Sequence, residues 1–330
     1  MTWLITGGAG YIGGHVVQQL VDAGEPVVVL DDLSSGSPDR LPAGVPLVPG
    51  STLDRAVLDR AITEHGVTGI LHIAAKKQVG ESVAEPLRYY HENVEGLRIV
   101  LEAAVAGGVK RVLLSSSAAV YGMPDVDLVT ESTPCAPINP YGETKLVDEW
   151  LLNGAARAYG LSTVALRYFN VAGAASPQLA DDGVTNLVPM VFERLTAGQA
   201  PRIFGDDYPT PDGTCIRDFI HVADIASAHV AAVKRLNAAG EGKQVNLTLN
   251  IGRGEGVSVR EMLDVISRVT GHTFDAEVTP RRPGDPARVV AAADLIHKEL
   301  DWTARHDVES MVASAWEGWL SRHPEARAGS

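Results

Sequence analysis

A glycine-rich segment close behind the first residues constrains the fold of this chain more than any other feature of the sequence. Gly7, Gly10 and Gly13 follow the apolar run Leu4-Ile5 and open an amphipathic stretch that continues from Ile12. Between a strand and a helix, such glycines permit a tight turn, a close approach of a pyrophosphate, and close packing of the helix on the strand. The helix N-terminus adds free amides and a partial positive charge. The segment therefore predicts a pyrophosphate site.

The first half of the chain alternates short apolar runs with amphipathic stretches. The apolar runs predict buried strands at residues 4–5, 27–30, 70–73, 112–114 and 164–166. Helical periodicity covers residues 12–23, 54–65, 87–106 and 141–159. Right-handed strand–helix–strand crossovers build a parallel sheet with helices on both faces. We therefore predict an α/β fold with a doubly wound parallel sheet, a Rossmann domain, over residues 1–170.

The second half of the chain is richer in loops. Helical stretches are predicted at residues 186–197 and 222–236, and Ser258-Val259-Arg260-Glu261 is a capping box ahead of a third helix. The chain of 330 residues also exceeds the usual size of a single domain. We expect a smaller, mixed α/β substrate domain over residues 171–330, with the chain free to cross back between the two.

The composition excludes several classes of function. Lys and Arg number 28 against 41 Asp and Glu, and the net charge of -13 disfavours binding to nucleic acid. We expect no membrane span and no secretion signal, because no apolar run approaches the roughly 18 residues that a span needs. Cys135 and Cys215 fit neither a disulfide framework nor a zinc spacing, which favours a cytoplasmic protein. No metal site is expected, and His72 and His221 are interpreted as structural.

Asp31 indicates which dinucleotide the glycine turn holds. It ends the second predicted strand, roughly 20 residues after the turn, where a carboxylate accepts hydrogen bonds from both hydroxyls of an adenosine ribose. The same carboxylate repels a 2′-phosphate, and no arginine follows in Asp32-Leu33-Ser34. NAD is therefore favoured over NADP.

A tyrosine and a lysine four residues apart predict the catalytic chemistry. Asn139 and Pro140 are helix-start residues, so Tyr141 and Lys145 share one face of the helix that follows. Residues 115–117, all serine, end a predicted strand, and doubly wound sheets bind ligands beyond the carboxyl ends of their strands. A nearby ammonium and a positive nicotinamide would lower the pKa of the phenol from about 10. We therefore expect Tyr141 to take a proton from a carbinol that Ser117 holds, while the carbon gives hydride to NAD.

With these residues in hand, the chain resembles the extended short-chain dehydrogenase/reductase family, and within it the branch that epimerises UDP-hexoses at C4. The resemblance runs nearly end to end. The motifs that carry it are GGAGYIGGH at residues 7–15, KQVGESV at 77–83, Tyr89-Tyr90 with Asn93, SSSAAVYG at 115–122, RYFN at 167–170, YPT at 208–210 with DGT at 212–214, RDFIHV at 217–222, and RRPGD at 281–285.

The resemblance implies reversible 4-epimerisation of UDP-glucose and UDP-galactose through a 4-keto intermediate, with tightly bound NAD. It also implies a homodimer that pairs through the helices at 87–106 and 141–159. The residues expected at the cofactor are Gly7, Gly10, Tyr11, Ile12, Gly13, Asp31, Asp32, Ser51, Thr52, Ala74, Ala75, Lys77, Asn93, Ser115, Tyr141, Lys145 and Tyr168. Those expected at the UDP-sugar are Lys77, Ser117, Tyr141, Asn170, Asn186, Leu187, Phe204, Arg217, Arg282, Asp285 and Val289. Arg217 and Arg282 suit a diphosphate, although on sequence alone either could instead face Asp218 or Asp285.

Three departures from the family pattern qualify these expectations. Ser51 replaces an aspartate that usually lies near the adenine ring, and Gly14 replaces a serine after the glycine turn. Val289 stands where strict glucose and galactose enzymes carry a tyrosine against the C2 substituent of the sugar, so we expect some tolerance of N-acetylated UDP-hexoses.

Other functions stay open at this stage. A nucleotide-sugar 4,6-dehydratase is disfavoured because Ser117-Ala118-Ala119 lacks the carboxylates that such enzymes use. UDP-pentose epimerase and UDP-glucuronate decarboxylase differ chiefly in sugar contacts and are harder to exclude. A non-catalytic NAD-sensing scaffold would have no reason to keep Ser117, Tyr141 and Lys145 together.

Overall fold

A computed structural model describes residues 1–240, 243–282, 284–324 and 326. The strands up to residue 168 are β1 (Thr2–Thr6), β2 (Val27–Asp31), β3 (Leu47–Pro49), β4 (Val67–His72), β5 (Arg111–Ser117) and β6 (Ser162–Tyr168). The helices between them are α1 (Tyr11–Asp22), α2 (Arg55–Glu64), α3 (Val79–Ala84), α4 (Pro86–Tyr89), α5 (Gly96–Ala106) and α6 (Pro140–Tyr159). A π-helix (Tyr90–Glu95) and short 3₁₀ helices at Pro38–Arg40 and Ala118–Tyr121 complete this part.

The later part of the chain adds shorter strands and five helices among the described residues. Its strands are β7 (Asn170–Ala172), β8 (Arg202–Phe204), β9 (Ile216–His221), β10 (Asn246–Ile251), β11 (Gly256–Ser258), β12 (Glu277–Thr279) and β13 (Arg288–Val289). Its helices are α7 (Leu187–Thr196), α8 (Val222–Asn237), α9 (Val259–Thr270), α10 (Asp294–Leu300) and α11 (Val308–Arg322), with a 3₁₀ turn at Pro177–Leu179. No helix in the described ranges is long and apolar enough to cross a membrane.

Seven parallel strands form the main sheet, in the order β3-β2-β1-β4-β5-β6-β10. Successive residues of β1 point to opposite faces: Trp3 and Ile5 pack with Val16 and Leu20 of α1, whereas Leu4 packs in the cluster beneath α2 and α5. Both faces are thus buried, as a parallel sheet requires. The predicted doubly wound fold is confirmed.

The chain returns to the main sheet after leaving it. β10 lies beside β6, with Leu249 opposite Leu166, and α8 packs against α1. Outside the main sheet, β7 and β13 pair with β9 in parallel, and β11 pairs with it antiparallel. α7, α9 and α11 bury Phe192, Met262 and Trp316 in a separate apolar cluster. Within residues 171–330, α8 and β10 therefore pack with the main sheet, whereas elements before and after them form the separate cluster.

The stretch predicted as a helix at residues 87–106 is helical throughout, but the structure divides it into α4, the π-helix and α5. The wider π turn directs Asn93 towards the loop after β4, where its Oδ1 accepts from the Lys76 amide at 2.8 Å. Its Nδ2 donates to the Lys76 carbonyl at 3.1 Å and to the Thr144 hydroxyl at 3.0 Å. Hydrophobic periodicity alone does not reveal this insertion of one residue per turn.

A buried ion pair fixes α6 to the sheet. The Arg167 guanidinium on β6 donates to both carboxylate oxygens of Glu149, at 2.8 Å and 2.6 Å. The Ser116 hydroxyl on β5 donates to the same carboxylate at 2.6 Å, and Arg167 donates to the Tyr121 hydroxyl at 2.7 Å. Both charged side chains are almost fully buried, so each depends on the other.

Removing the Glu149 carboxylate is expected to destabilise the protein strongly. Glu149→Ala leaves the Arg167 charge buried without its partner, which costs about 3–5 kcal/mol. The free energy of unfolding from urea denaturation measures the loss. Glu95→Ala is the matched control, because Glu95 pairs with Arg98 at the surface and its loss should matter far less. Equal destabilisation by the two substitutions would contradict the role assigned to the buried pair.

Candidate active site

A cavity of about 310 Å³ opens at the carboxyl ends of β1, β2, β4, β5 and β6. The fold thus brings together segments that lie far apart in the chain. Nearly every residue predicted at the cofactor lines this cavity, namely Gly7, Gly10, Tyr11, Ile12, Gly13, Asp31, Asp32, Ser51, Thr52, Ala74, Ala75, Lys77, Ser115, Tyr141, Lys145 and Tyr168. Asn93 is not among the lining residues, because its amide holds the Lys76 backbone as described above.

The glycine turn has no room for side chains at two of its positions. Gly7 has a φ of 72°, and a Cβ there would lie 2.7 Å from the Ala74 amide nitrogen. A Cβ on Gly13 would lie 2.0 Å from the Gly7 carbonyl oxygen. Gly10 is the N-cap of α1 without a side-chain cap, so the first amides of the helix are not taken up by a capping side chain. This geometry fits a pyrophosphate bound at the start of α1.

Asp31 takes part in building the turn as well as lining the cavity. Its Oδ2 accepts from the Ala9 amide and its Oδ1 from the Leu33 amide, both at 2.9 Å. Burial raises the pKa of the carboxyl, and these two hydrogen bonds partly offset the rise. Each carboxylate oxygen keeps a further acceptor site, so the two ribose hydroxyls expected here can still be bound.

Helix α6 carries the Tyr141–Lys145 pair, and its start follows the sequence prediction. The Asn139 side chain accepts from the Gly142 amide at 2.9 Å, and Pro140 is the first helical residue. One turn on, the buried ammonium of Lys145 donates to the Ser115 carbonyl at 3.0 Å. The lysine is therefore anchored to the end of β5.

The pKa values at the pair differ in one respect from the sequence-based expectation. Burial raises the pKa of Tyr141, a side-chain hydrogen bond with Ser117 lowers it, and the Asp148 carboxylate raises it. Lys145 was expected to lower this pKa, but in the chain alone burial outweighs any such effect. Burial likewise lowers the pKa of Lys145, against the opposing effect of Asp148 and Glu149. Of these residues, Ser117 is the group that favours the phenolate.

The three serines at the end of β5 have separate partners. Ser115 shares a hydrogen bond of 2.6 Å with the Tyr168 hydroxyl, which lies 2.5 Å from His229 Nε2. The Ser116 hydroxyl donates its hydrogen bond to the Glu149 carboxylate. Ser117 accepts from the Ala119 amide at 3.1 Å, does not line the cavity, and contacts Tyr141. Only the last of the three is placed to act with the tyrosine.

Of the residues predicted at the UDP-sugar, Lys77 and Tyr141 line this cavity. The others of this set do not line it. Arg217 on β9 donates to the Ile216 and Pro286 carbonyls, and one of its nitrogens lies 3.6 Å from Asp285. This is the alternative pairing that the sequence left open. The other residues of the set, Asn170, Asn186, Leu187, Phe204, Arg282 and Val289, lie on β7, at the start of α7, on β8, in the loop after β12 and on β13.

Contacts within the smaller domain group some of these side chains. The Arg282 guanidinium lies 3.7 Å from the centre of the Phe204 ring, a cation–π contact. Val289 pairs with Arg217 across β13 and β9 and is 8% exposed. The Asn186 amide donates to Asp181 at 3.1 Å. Phe204 and Arg282 therefore form one group, and Arg217, Asp285 and Val289 form another.

Sequence reasoning missed part of the cavity wall, a loop that follows β7. Asp181, Asp182, Gly183 and Thr185 line the cavity. Arg40, almost fully buried, holds the loop through an ion pair of 2.7 Å with Asp182. A Cβ on Gly14 would lie 3.2 Å from the Arg40 Cβ, which gives a structural reason for a glycine there. No local sequence signal marks this contact, since it joins positions 142 residues apart.

Ser51, the departure from the family pattern, lines the cavity together with Thr52. The Ser51 hydroxyl accepts from the Leu53 amide at 3.1 Å, so it stabilises the turn that leads into α2. The Thr52 side chain fills the space beside Gly96, where a Cβ would lie 2.8 Å from its hydroxyl oxygen. The serine thus occupies the predicted place with one local hydrogen bond already made.

Comparisons with known proteins agree with this geometry. The family model of the NAD dependent epimerase/dehydratase family matches residues 3–252. The chain belongs to this family. A UDP-glucose 4-epimerase of Azospirillum brasilense is 45% identical over 326 residues, which cover 97% of this chain and 92% of the relative.

Two solved structures extend the likeness of this family member to three dimensions. UDP-glucose 4-epimerase from Brucella ovis in complex with NAD is 39% identical, with a TM-score of 0.90 and coverage of 95% and 97% of the two chains. The enzyme of that name from Stenotrophomonas maltophila, with bound NAD and formylated UDP-arabinopyranose, is 39% identical, with a TM-score of 0.91 and coverage of 98% and 99%. The resemblance to 4-epimerases predicted from sequence is confirmed.

Replacement of Gly13 by alanine is expected to weaken NAD binding at least about tenfold, or about 1.4 kcal/mol. The added Cβ would lie 2.0 Å from the Gly7 oxygen, so the turn must move away from the place where the pyrophosphate is expected. Titration calorimetry with NAD measures the affinity. Gly154→Ala is the control, because a Cβ in that part of α6 meets no atom within 4 Å and should stabilise the helix by about 0.5–1 kcal/mol. Unchanged NAD affinity in Gly13→Ala would contradict the prediction.

Proposed function

We propose that the protein catalyses the reversible 4-epimerisation of UDP-glucose and UDP-galactose with tightly bound NAD. The observation that carries the proposal is a single cavity lined by the glycine turn, Asp31 and the Tyr141–Lys145 pair, in a chain that belongs to an NAD dependent epimerase family. The relatives named as UDP-glucose 4-epimerases match nearly the whole chain, both domains included, which supports the full activity rather than dinucleotide binding alone.

The cavity suits the dinucleotide at both of its ends. The cradle at Gly7 and Gly13 fits the pyrophosphate, and the Asp31 carboxylate suits the adenosine ribose. Lys145 and Tyr141 line the opposite part of the cavity, at the ends of β5 and β6, where the nicotinamide half would lie. When bound, NAD accepts a hydride from the sugar carbon and later returns it. The protein itself supplies the orientation and the proton transfer.

The residues of this chain then have distinct tasks. Tyr141 takes the proton from the sugar O4 hydroxyl as C4 is oxidised, and Ser117 holds that oxygen and stabilises the phenolate. The resulting 4-keto sugar turns within the site, and Tyr141 returns the proton when C4 is reduced from the other face. Arg217 and Arg282 anchor the diphosphate during this turn, so the intermediate stays captive. A guanidinium group matches the oxygens of a diphosphate in both charge and geometry.

The alternative functions gain no support from the residues of the site. A 4,6-dehydratase needs an additional acid and base after β5, whereas the chain continues there as Ala118 and Ala119. A non-catalytic scaffold would not need a buried lysine anchored beside a tyrosine at the cavity. The 4-epimerase proposal accounts for both features.

Tyr141→Phe is expected to lower kcat for epimerisation of UDP-galactose by about 10²–10⁴-fold, because the phenylalanine ring cannot take the O4 proton. A coupled assay for UDP-glucose measures the rate, and the NAD content of the purified variant shows whether the cofactor site is intact. Tyr159→Phe is the control, since that tyrosine is 55% exposed at the far end of α6. Near-normal turnover by Tyr141→Phe would overturn the assignment.

Substrate breadth forms a second part of the proposal: UDP-N-acetylhexosamines are also accepted. The support is the small side chain of Val289 in place of a tyrosine, on a strand whose neighbour carries Arg217. Val289 is nevertheless packed among apolar residues and only 8% exposed. Space for an acetamido group must therefore be provided by the sugar-binding residues together and not by Val289 alone. Product analysis with UDP-N-acetylgalactosamine beside UDP-galactose tests this part.

A homodimer that pairs through the region of α4, α5 and α6 is the third part. Leu87 on α4 is 83% exposed and Trp150 on α6 is 62% exposed, and α3, whose Val83 is also exposed, contacts α6. Apolar side chains of this size, exposed on adjoining helices, are typical of a surface that a second copy covers.

The proposed compartment is the cytoplasm, and the cysteines of the chain, Cys135 and Cys215, are both free.

Leu87→Asp is expected to convert the protein from dimer to monomer, because two buried charges would face each other across a two-fold interface. Light scattering coupled to size-exclusion chromatography measures the mass. Val126→Asp places the same charge on another exposed apolar residue and should leave the dimer intact. A monomeric wild type, or an unchanged mass for Leu87→Asp, would contradict this part of the proposal.

A further inference from the structure

One buried carboxyl beside the catalytic pair has no hydrogen-bond partner among the described residues. Asp148 lies on α6 one turn after Lys145, and its side chain is 1% exposed. Neither carboxylate oxygen has a hydrogen-bond partner among the described residues. Its Oδ2 lies 4.0 Å from the Lys145 ammonium nitrogen. A buried carboxyl of this kind is costly, so its surroundings indicate what it does.

On the sheet side of α6, Lys145 is the cation that the described part of the chain pairs with Asp148. Glu149, the next residue, is already neutralised by Arg167 of β6. His72 of β4 is fully buried, and burial lowers its pKa to about 3, so it carries no charge at neutral pH. Tyr141, in the first turn of α6, and Tyr168, at the end of β6, are buried phenols of the site, and burial raises the pKa of both.

The helices on the other side of α6 carry several charges of their own, and the π-helix adds His91 and Glu92 beside Tyr90, whose hydroxyl donates to Glu143 at 2.8 Å. Glu81 of α3 accepts from the Tyr89 hydroxyl at 2.8 Å, and Arg88 pairs with Glu81 at the surface. Arg98 of α5 pairs with Glu95 and Glu102. Asp148 and Lys145 therefore face each other as a separate buried pair.

We propose that Asp148 is a positioning residue of the catalytic site, whose own gain or loss of a proton sets the charge that Tyr141 experiences. When Asp148 is protonated, Lys145 acts on the phenol as an uncompensated cation. When Asp148 is ionised, its negative charge offsets that of the Lys145 ammonium, and the phenolate loses that support. The proposal rests on the proposed role of Tyr141 as the proton acceptor, and the bond that forms or breaks in this switch is the O–H bond of the Asp148 carboxyl.

The electrostatics agree with this geometry. Burial raises the pKa of Asp148 to about 7, against the lowering effect of Lys145, and Glu149 raises it further. The Asp148 carboxylate in turn raises the pKa of Tyr141 and that of Lys145. Titration of Asp148 thus falls in the range in which the enzyme would work.

Asp148→Asn tests the proposal through the pH dependence of kcat/KM for UDP-galactose. The substitution removes the negative charge with little change of shape, so the pKa values of Tyr141 and Lys145 both fall. We therefore expect both limbs of the profile to move to lower pH, by about one unit. A carboxamide that merely disturbed packing would lower the whole profile without moving it. Asp59→Asn, which removes a surface carboxyl on α2, should leave the profile in place.

Thermal unfolding gives a second measurement that does not need activity. Because the folded-state pKa of Asp148 lies above the ordinary value of 3.8, the folded protein binds this proton more tightly than the unfolded chain. The stability contributed by Asp148 is present below about pH 4 and is lost as the pH rises to about 7. The Tm of Asp148→Leu, and of Asp148→Asn, should therefore rise relative to wild type between pH 5 and pH 7.5, with Asp59→Asn showing no such trend.

The outcomes distinguish a failure of the role proposed for Asp148 from a failure of the proposed function. Limbs that stay in place, or a Tm difference that does not vary with pH, would overturn the role of Asp148. A wild-type protein that binds NAD yet epimerises no UDP-hexose would overturn the proposed function, and the Tm series would still decide whether Asp148 titrates as proposed. Asp148→Leu covers the case in which the asparagine amide cannot be accommodated, because an apolar side chain needs no hydrogen-bond partner.

Discussion

The close approach of α1 to the end of β1 is the constraint on which the rest of the cofactor half depends. With a hydrogen atom at Gly13, the first turn of the helix comes within packing distance of the Gly7 carbonyl, and any side chain would force them apart. Gly7 in turn lies against Ala74 after β4, and Gly10 begins α1 at the wall of the cavity. Asp31 then closes the arrangement by accepting from Ala9 and Leu33. The short distances between these backbone segments thus define the shape of the cofactor site.

The catalytic half depends on buried charge rather than on backbone spacing. Glu149 and Arg167 tie α6 to β5 and β6, so the helix face that carries Tyr141 and Lys145 is held against the strand ends. Lys145 reaches the Ser115 carbonyl across this junction. Because the region is poorly solvated, each charge acts strongly on its neighbours. This is why a carboxyl such as Asp148 matters at 4.0 Å from the lysine.

The residues expected at the two parts of the ligand lie on different elements. The ends of the main-sheet strands and α6 line the cofactor cavity, while β8, β9 and β13 carry side chains expected at the UDP-sugar. The loop at Asp181–Asp182 belongs to the second part of the chain yet lines the cofactor cavity, where Arg40 holds it. The return of β10 to the main sheet joins the domains at the position next to β6. The cofactor cavity is therefore built from residues that are scattered in sequence.

The sequence by itself determined the doubly wound fold, the cofactor turn and the Tyr141–Lys145 helix, because each depends on local patterns: strand periodicity, glycine spacing, and the Asn139 cap. It could not determine the π turn that points Asn93 at Lys76, since no glycine or proline marks a change of helix type within residues 90–95. Nor could it determine that Arg40 meets Asp182, or that Arg217 lies beside Asp285. Such contacts join distant segments, and only the packing of the folded chain decides which of several possible charged partners comes within reach.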